Sequence, residues 1–179
     1  MLRKILSYGV VAGLIVGVPL SALTIAMAGK PPLPYGVALG YLMMLIALSA
    51  VFVAIKRHRD VELGGTIRFW PAFGLGLGIS VVAGVFYVIA WESAVAFTGL
   101  DFGTDYAKIM IEQKRAEGVS GEALAKFIAE MEQFKVQYAN PLWRLPMVFA
   151  EIFPVGVLVS AVSAGLLRNS RFLSARRGA

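Results

Sequence analysis

Residues 71–97 read PAFGLGLGISVVAGVFYVIAWESAVAF, and Glu92 is the only charged residue in this stretch. A helix needs about 20 residues, at 1.5 Å per residue, to cross the hydrocarbon core of a bilayer, so the stretch is long enough to span it. Three more apolar stretches meet the same requirement, at about 5–28, 37–55 and 145–167. The sequence therefore predicts an all-α, polytopic membrane protein with four transmembrane helices, forming a single membrane domain over residues 1–179.

The overall composition supports this fold class. Hydrophobic residues make up 58% of the 179 residues and charged residues 16%, against about 45–50% and about 25% in soluble domains. The chain has no Cys and one His, which excludes disulfides, thiolate catalysis and a His-based metal site. No nucleophile–base pair and no phosphate-binding loop is visible in the sequence. We therefore expect no enzymatic activity, no cofactor and no metal.

The placement of Lys and Arg predicts the orientation, because cytoplasmic loops carry an excess of these residues. One side of the membrane has ten cations with Asp60 and Glu62 as its only acids, whereas the other has seven cations and seven acids. We expect the basic side, with both termini, to face the cytoplasm at a bacterial inner membrane, where anionic lipids attract each nearby cation by about 1 kcal/mol. Topology thus explains the net charge of +6, and we expect no nucleic-acid partner. The ten cations are Arg3, Lys4, Lys56, Arg57, Arg59, Arg68, Arg168, Arg171, Arg176 and Arg177.

The first helix has an alternative interpretation as a cleavable signal peptide. Arg3 and Lys4 precede an apolar run that ends in small residues, Ala26-Met27-Ala28, before Gly29. The run is longer than the usual hydrophobic region of about 7–15 residues. We therefore favour an uncleaved helix, and the later helices keep their orientation in either case.

The segment between the third and fourth helices predicts an external amphipathic helical hairpin at about 104–140. A weaker helix at about 105–117 is followed by one that starts after Ser120 and stops at Asn140-Pro141. Its apolar residues recur at helical spacing and form one stripe, which packs on the first short helix, on the membrane surface or on a partner protein. As a candidate partner face, the stripe comprises Leu124, Phe127, Ile128, Met131, Phe134 and Tyr138. After the fourth helix, residues 168–179 form a basic tail that we expect to fray.

Two carboxylates inside the predicted spans, Glu92 and Glu151, form a candidate polar site. Counted from the helix ends, both lie roughly 7–9 Å below the outer interface, so we expect them at matching depth. Carboxylates that approach one another share a proton readily and can bind a cation. Trp91 and the Ala150 carbonyl, freed by the ring of Pro154, complete this candidate site. The alternative is structural anchoring, with the acids protonated, reaching water or paired with Arg144.

Small residues at every fourth position mark close helix packing. Gly9, Gly13 and Gly17 form GxxxGxxxG in the first helix, a pattern that allows helix backbones to approach closely in lipid. Gly76, Ser80 and Gly84 repeat the spacing in the third helix, as do Gly156, Ser160 and Ala164 in the fourth. We expect packing within one bundle, with homodimerisation through the first helix as the alternative.

Four stretches of the sequence carry a family resemblance: YLMMLIALSAVFVAIKRHRDVELGGTIRFWPAFGLGL, YVIAWE, IAEMEQFKVQYANPLWRLPM and EIFPVGVLVSAVSAGLLR. In these stretches the chain resembles the domain of unknown function 4199 family of small bacterial membrane proteins. The resemblance covers nearly the whole chain apart from the basic tail. It implies a small helical membrane protein and supplies no activity and no catalytic residues.

Two functional hypotheses follow from the sequence. The favoured one is a non-enzymatic binding, scaffolding or envelope-associated membrane protein that acts through a homo-oligomer or a membrane partner. The alternative is a small oligomeric transporter, or a proton- or cation-coupled permeation unit, that uses the paired carboxylates.

Overall fold

A computed structural model describes residues 1–28, 30, 33 and 35–174. Within these residues every regular secondary-structure element is a helix, which confirms the predicted all-α class, and four helices are long and apolar enough to cross a membrane. Three positions of interest lie outside the described residues: Gly29, where the alternative signal-peptide cleavage falls, the prolines at 31, 32 and 34, and residues 175–179 of the tail. The helices are α1 (Leu2–Met27), α2 (Gly36–Arg57, extended by a π-helical turn at His58–Glu62), α3 (Phe69–Thr98), α4 (Phe102–Ala116), α5 (Gly121–Ala139) and α6 (Pro141–Leu167).

The four long helices form a bundle in which each one contacts two neighbours around a ring. Helix α1 packs on α3, α3 on α6, α6 on α2 and α2 on α1, and α2 also contacts α3 across the centre. The core between them is apolar, with Leu48, Leu75, Ile79 and Ile152 at most 1% exposed. The bundle therefore has a termini end, where α1 begins and α6 finishes, and a hairpin end, where α4 and α5 are attached.

The glycine repeat of α1 faces α3. A Cβ atom on Gly9 would lie 2.5 Å from the Cβ of Val82, one on Gly17 would lie 3.0 Å from the Cβ of Ala90, and one on Gly13 would collide with Phe86. Because their neighbours on α3 are also four residues apart, the two helices stay in contact over the whole repeat. The structure thus places the three glycines inside the bundle rather than on its outer surface.

Helices α3 and α6 cross at a pair of buried serines. Ser80 Oγ donates to the Gly76 carbonyl at 3.0 Å and lies 3.4 Å from Ser160 Oγ, while Ser160 donates to the Gly156 carbonyl at 2.7 Å. Each hydroxyl bonds a carbonyl of its own helix, so the polar atoms are satisfied without separating the helices. A Cβ on Gly156 would meet the Ser80 side chain at 2.6 Å, so the crossing needs a glycine there.

Helices α4 and α5 form a hairpin between α3 and α6. Asp101 caps α4 by accepting the N–H of Thr104 at 3.1 Å. Hydrogen bonding from Thr104, through its side chain and then its backbone N–H, lowers the pKa of the Asp101 carboxyl. Gly118, with φ of 83°, turns the chain between the two helices. Gly103 lies against Tyr138, so α4 and α5 approach closely at the base of the hairpin.

Residues 56–70, which lie between the second and third predicted spans, are partly helical in the structure. Helix α2 continues as a π-helical turn to Glu62 and stops before Gly64 and Gly65, both at positive φ. This extension carries the Arg59 side chain into the bundle, where it is fully buried. Its Nε donates to Asp60 Oδ1 at 2.6 Å. Its two terminal nitrogens donate to the carbonyls of Leu167, Asn169, Phe172 and Leu173.

Arg59 therefore acts as the C-terminal cap of α6. The last carbonyls of a helix have no partner within the helix and carry its negative dipole end. The buried guanidinium donates to the last of them, that of Leu167, and so stabilises this end by both a hydrogen bond and its charge. It also holds residues 168–173 against the bundle, where Phe172 packs on the core. This part of the chain differs from the frayed tail that its composition predicts, because composition does not reveal a donor from a distant helix.

The glycine contacts predict that Gly13→Ala destabilises the bundle. The added methyl group collides with Phe86, and overpacking of this kind costs about 1–3 kcal/mol. Gly40→Ala is the matched control, because no atom lies within 4 Å of a Cβ built there. We expect a lower thermal unfolding temperature in detergent for Gly13→Ala alone. A lower dimer fraction with an unchanged unfolding temperature would instead assign the glycines to homodimerisation.

We call the Arg59 guanidinium with its carboxylate and carbonyl acceptors the Arg59 fork. It predicts that Arg59→Lys destabilises the end of α6, although the positive charge is kept. An ammonium cannot reach four carbonyls and a carboxylate at once, and losing charged hydrogen bonds at a buried site costs on the order of 3 kcal/mol. Hydrogen exchange of residues 167–173 should accelerate, and the unfolding temperature should fall. Arg57→Lys, at an exposed neighbouring position, serves as control. Unchanged exchange in Arg59→Lys would show that the fork does not hold this segment.

Candidate functional site

An ion pair joins α3 to α6 at the hairpin end of the bundle. Arg144 Nε lies 2.7 Å from Glu92 Oε1 and Nη2 lies 2.5 Å from Oε2, so the guanidinium and the carboxylate face each other in a two-bond arrangement. The two side chains are 17% and 28% exposed. At this partial burial the paired geometry is stronger than that of a surface ion pair, and it leaves the Glu92 carboxylate already neutralised.

The base of the hairpin is fixed to the same place by Trp91 and Tyr138. The indole N–H of Trp91 donates to the Tyr138 hydroxyl at 2.9 Å, and Arg144 Nη1 donates to the Tyr138 carbonyl at 3.4 Å. The Phe102 ring lies edge-on to Trp91 at 5.1 Å and against Tyr138 at 5.1 Å. Burial raises the pKa of Tyr138 to about 12, so the hydroxyl stays neutral and accepts the indole N–H. We call Trp91, Glu92, Phe102, Tyr138 and Arg144 the hairpin clamp.

Glu151 lies outside the hairpin clamp. Its carboxylate accepts the hydroxyl of Tyr87 at 2.9 Å. Tyr87 is buried, at 4% exposure, whereas Glu151 is an exposed residue on the outer side of α6. A tyrosine hydroxyl thus reaches from the core to a carboxylate on the bundle surface.

The two carboxylates do not meet, which corrects the expectation of matching depth. Gly76 faces Ser160 and Ser80 faces Gly156, so four residues forward on α3 correspond to four residues back on α6. Glu92 lies twelve residues after Ser80 on α3, and Arg144 lies twelve residues before Gly156 on α6. The same register therefore places Glu92 level with Arg144. Glu151 is seven residues from Arg144 on α6, a rise of about 10 Å along the helix axis.

Pro154 and Ala150 do not form the polar site that the sequence predicts around them. Helix α6 continues through Pro154, and both residues are exposed on its surface. Across the part of the chain that the structure describes, no side chain donates to the Ala150 carbonyl. Of the five residues proposed for the polar site, Trp91 and Glu92 lie together in the hairpin clamp, and the other three lie on the outer side of α6.

The apolar stripe of α5 faces α4. Tyr106 of α4 lies 5.3 Å from the ring of Phe134, which in turn lies 5.4 Å from that of Tyr138. Tyr138 is buried at 7% exposure, whereas Leu124, Phe127, Ile128, Met131 and Phe134 are half-buried. The candidate partner face is therefore partly used by the hairpin itself.

Three residues that make important contacts in the structure are not among the candidate site residues that the sequence predicts. From the sequence, Arg144 is expected only as one possible partner of the acids, Arg59 only as a cation that indicates topology, and Tyr87 has no expected role. The one available signal is that each is polar within or beside an apolar helix, which marks a residue whose polar group needs a partner. Among the residues that the structure describes, no group of three or more His, Cys, Asp or Glu is placed to hold a metal ion.

The fold and these contacts define a class: a helical protein with four helices long and apolar enough to span a membrane and a helical hairpin before the last of them. The chain belongs to the family described as Protein of unknown function (DUF4199), whose model matches residues 7–169. The family resemblance inferred from the sequence is thereby confirmed. Searches of curated proteins and of solved structures gave no match to this chain.

The ion pair of the hairpin clamp predicts non-additive effects of substitution. Glu92→Gln leaves the Arg144 guanidinium without its counter-charge, and Arg144→Gln does the same to the carboxylate, so each should lower the free energy of unfolding by about 1–3 kcal/mol. The double variant should lose less than the sum, with a coupling of about 0.5–3 kcal/mol.

The matched control for this cycle is the ion pair of Lys135 and Glu132 on the exposed surface of α5, at 2.9 Å. Its coupling should be only about 0.3 kcal/mol, because water screens exposed pairs. Chemical unfolding in detergent gives the free energy of unfolding of the unsubstituted chain and of the two single variants and the double variant of each pair, seven proteins in all. Equal couplings for the two pairs would show that the Glu92–Arg144 contact carries no special role.

Proposed function

We propose that the protein is a non-enzymatic binding or scaffolding protein of the bacterial inner membrane, with its termini in the cytoplasm and the α4–α5 hairpin outside. The hairpin clamp is the observation that carries this proposal. It fixes the base of a folded helical pair to the end of the bundle through an ion pair, an indole hydrogen bond and edge-on and tilted contacts between aromatic rings.

A connection that only returns the chain to the membrane needs a few residues. Here the connection forms two helices with their own packed interface and a capped start. The outer faces of these helices carry charged residues of both signs, with Ile109 and Val136 exposed among them. A rigid, mixed-charge helical surface with isolated apolar side chains suits recognition of another protein better than it suits simple linkage.

The cytoplasmic placement of the termini rests on the distribution of cations. In the folded chain, Arg3, Lys4, Arg57, Arg59 and Arg68 all belong to the termini end of the bundle. The hairpin end carries cations and acids in balance. Under the positive-inside rule, the termini end faces the cytoplasm, and the hairpin is then external.

Transport is the second candidate, and it now depends on Glu151 alone. Glu92 already has a cation partner, whereas Glu151 is exposed and bonded to a buried tyrosine. A carboxylate on the outer side of a membrane helix is costly unless water or another protein covers it. A proton or cation pathway would therefore have to lie between copies of the chain, along α6.

Single cysteines test the proposed function, because the chain has none of its own. The two variants are Gln133→Cys and Val61→Cys. Gln133 is exposed on α5, and Val61 is exposed at the termini end of the bundle. We expect an impermeant maleimide to label position 133 in intact cells and position 61 only after permeabilisation. A photo-crosslinking amino acid at Ile109 or Val136 should then give a discrete adduct in cells, and one at buried Leu75 should give none to another protein.

The reverse labelling pattern would place the hairpin in the cytoplasm and overturn the proposed orientation. Absence of adducts at both exposed hairpin positions would overturn the binding role. Proteoliposomes distinguish the transport alternative. Ion or proton flux that is removed by Glu151→Gln, with the fold intact, would replace binding with permeation as the function.

A further inference from the structure

A basic groove lies at the termini end, between the first turns of α1 and the last turns of α2. It has a volume of about 440 Å³, and Ala54 and Glu62 are among the residues that line it. Its other lining residues are Arg3, Lys4, Ser7, Tyr8, Arg57 and His58. Two helices therefore contribute cations to one concave surface, which we call the basic groove.

The charges in the basic groove are only partly balanced. Glu62 forms an ion pair with Lys4 and lies 3.3 Å from Nδ1 of His58, while Lys4 also donates to that nitrogen at 2.9 Å. Within the described residues, no carboxylate lies at ion-pair distance from Arg3 or Arg57. The groove therefore holds two guanidinium groups available to a further anion, next to hydroxyl groups that can donate hydrogen bonds.

The neighbouring cations of α2 behave differently. Asp60 accepts Lys56 at 2.7 Å and Arg59 at 2.6 Å, so each of these two cations has a carboxylate partner within the protein. Among the described residues at the end of α2, Arg57 is the arginine without a carboxylate at ion-pair distance, and it lines the basic groove.

An exposed apolar track leads away from the basic groove along both helices. Val11 and Leu14 follow Ser7 on the same face of α1 at four- and seven-residue spacing, and both are 49% exposed. Val53 and Ile46 precede Arg57 at four and eleven residues on α2, and they are 52% and 56% exposed. A bound molecule would meet cations at one end and apolar side chains beyond them. Such a surface fits a phospholipid, with a charged headgroup and acyl chains, better than a free anion.

We propose that the basic groove binds the phosphate group of an anionic phospholipid, with Arg3 and Arg57 as its ligands. Arginine suits this role because its planar fork donates two parallel hydrogen bonds to phosphate oxygens. Basic pockets between membrane helices are known to hold anionic headgroups at the membrane surface. This lipid site is independent of the partner that the hairpin binds.

Native mass spectrometry of the full chain in detergent tests the proposal. The probes are cardiolipin and phosphatidylglycerol, with phosphatidylcholine as the neutral reference. The test variant is the double substitution Arg3→Gln and Arg57→Gln. The matched control is Arg168→Gln and Arg171→Gln, which removes two exposed cations from the same end but outside the basic groove.

We expect the unsubstituted chain and the control to bind the anionic lipids in preference to phosphatidylcholine. The groove variant should raise the Kd for the anionic lipids by about 30-fold, as expected for the loss of two surface cations near a headgroup. Equal loss in both double variants would show that net charge alone attracts the lipid. Displacement of the lipid by millimolar inorganic phosphate would assign the basic groove to a free anion. Either result would overturn the proposal.

A second variant keeps the proposal testable if the double substitution does not fold. Glu62→Gln removes the internal carboxylate that pairs with Lys4 and frees a third cation for the headgroup. Its expected effect is a tighter complex, with Kd lowered about fivefold for the anionic lipids and unchanged for phosphatidylcholine. Unchanged or weaker binding of the anionic lipids to Glu62→Gln would count against the basic groove as the site.

Discussion

Close contact of α3 with both α1 and α6 is the constraint on which the rest of the structure depends. Helices surrounded by lipid gain little hydrophobic free energy by associating, so backbone proximity and dispersion contacts must hold them together. Gly13 against Phe86 and Gly156 against Ser80 are places where even one added carbon would force the helices apart. The bundle is therefore stabilised by close helix contacts that are possible because glycine has no Cβ atom at these positions. No charged residue takes part in these contacts.

This contact also sets the register of α3 against α6, and the register selects the polar partners. Once Ser80 lies at Gly156, the antiparallel direction brings Glu92 level with Arg144 and leaves Glu151 deeper along α6. The carboxylate nearer the helix end thus receives a guanidinium, and the deeper one receives only the Tyr87 hydroxyl. A pair of acids that looks equivalent in sequence becomes one neutralised anchor and one exposed carboxylate. The proposed roles of the two residues differ for this reason.

The sequence predicted the number of long helices, the all-helical class and the helical nature of the segment before the last one. Hydropathy and helical periodicity are properties of each segment by itself, so they can be determined without the fold. The match of Glu92 with Glu151 failed because depth was counted from predicted helix ends. Helix α6 begins at Pro141 rather than near residue 145, about one turn earlier, and α3 ends at Thr98. Arg59 was beyond prediction for a related reason, since its carbonyl partners are about 110 residues away in the chain and only the folded bundle brings them to it.

The two arginine forks show how the ends of such a bundle are completed. At the hairpin end Arg144 binds a carboxylate, and at the termini end Arg59 binds the last carbonyl of α6 and three carbonyls of the segment that follows it. Both use the planar guanidinium, which satisfies several acceptors from one direction and which lysine cannot replace. Because the forks leave the small-residue core undisturbed, the ends of the bundle can differ in chemistry without changing its packing. The surfaces proposed here for recognition, the hairpin and the basic groove, lie at these ends, where the packing of the core does not restrict the side chains.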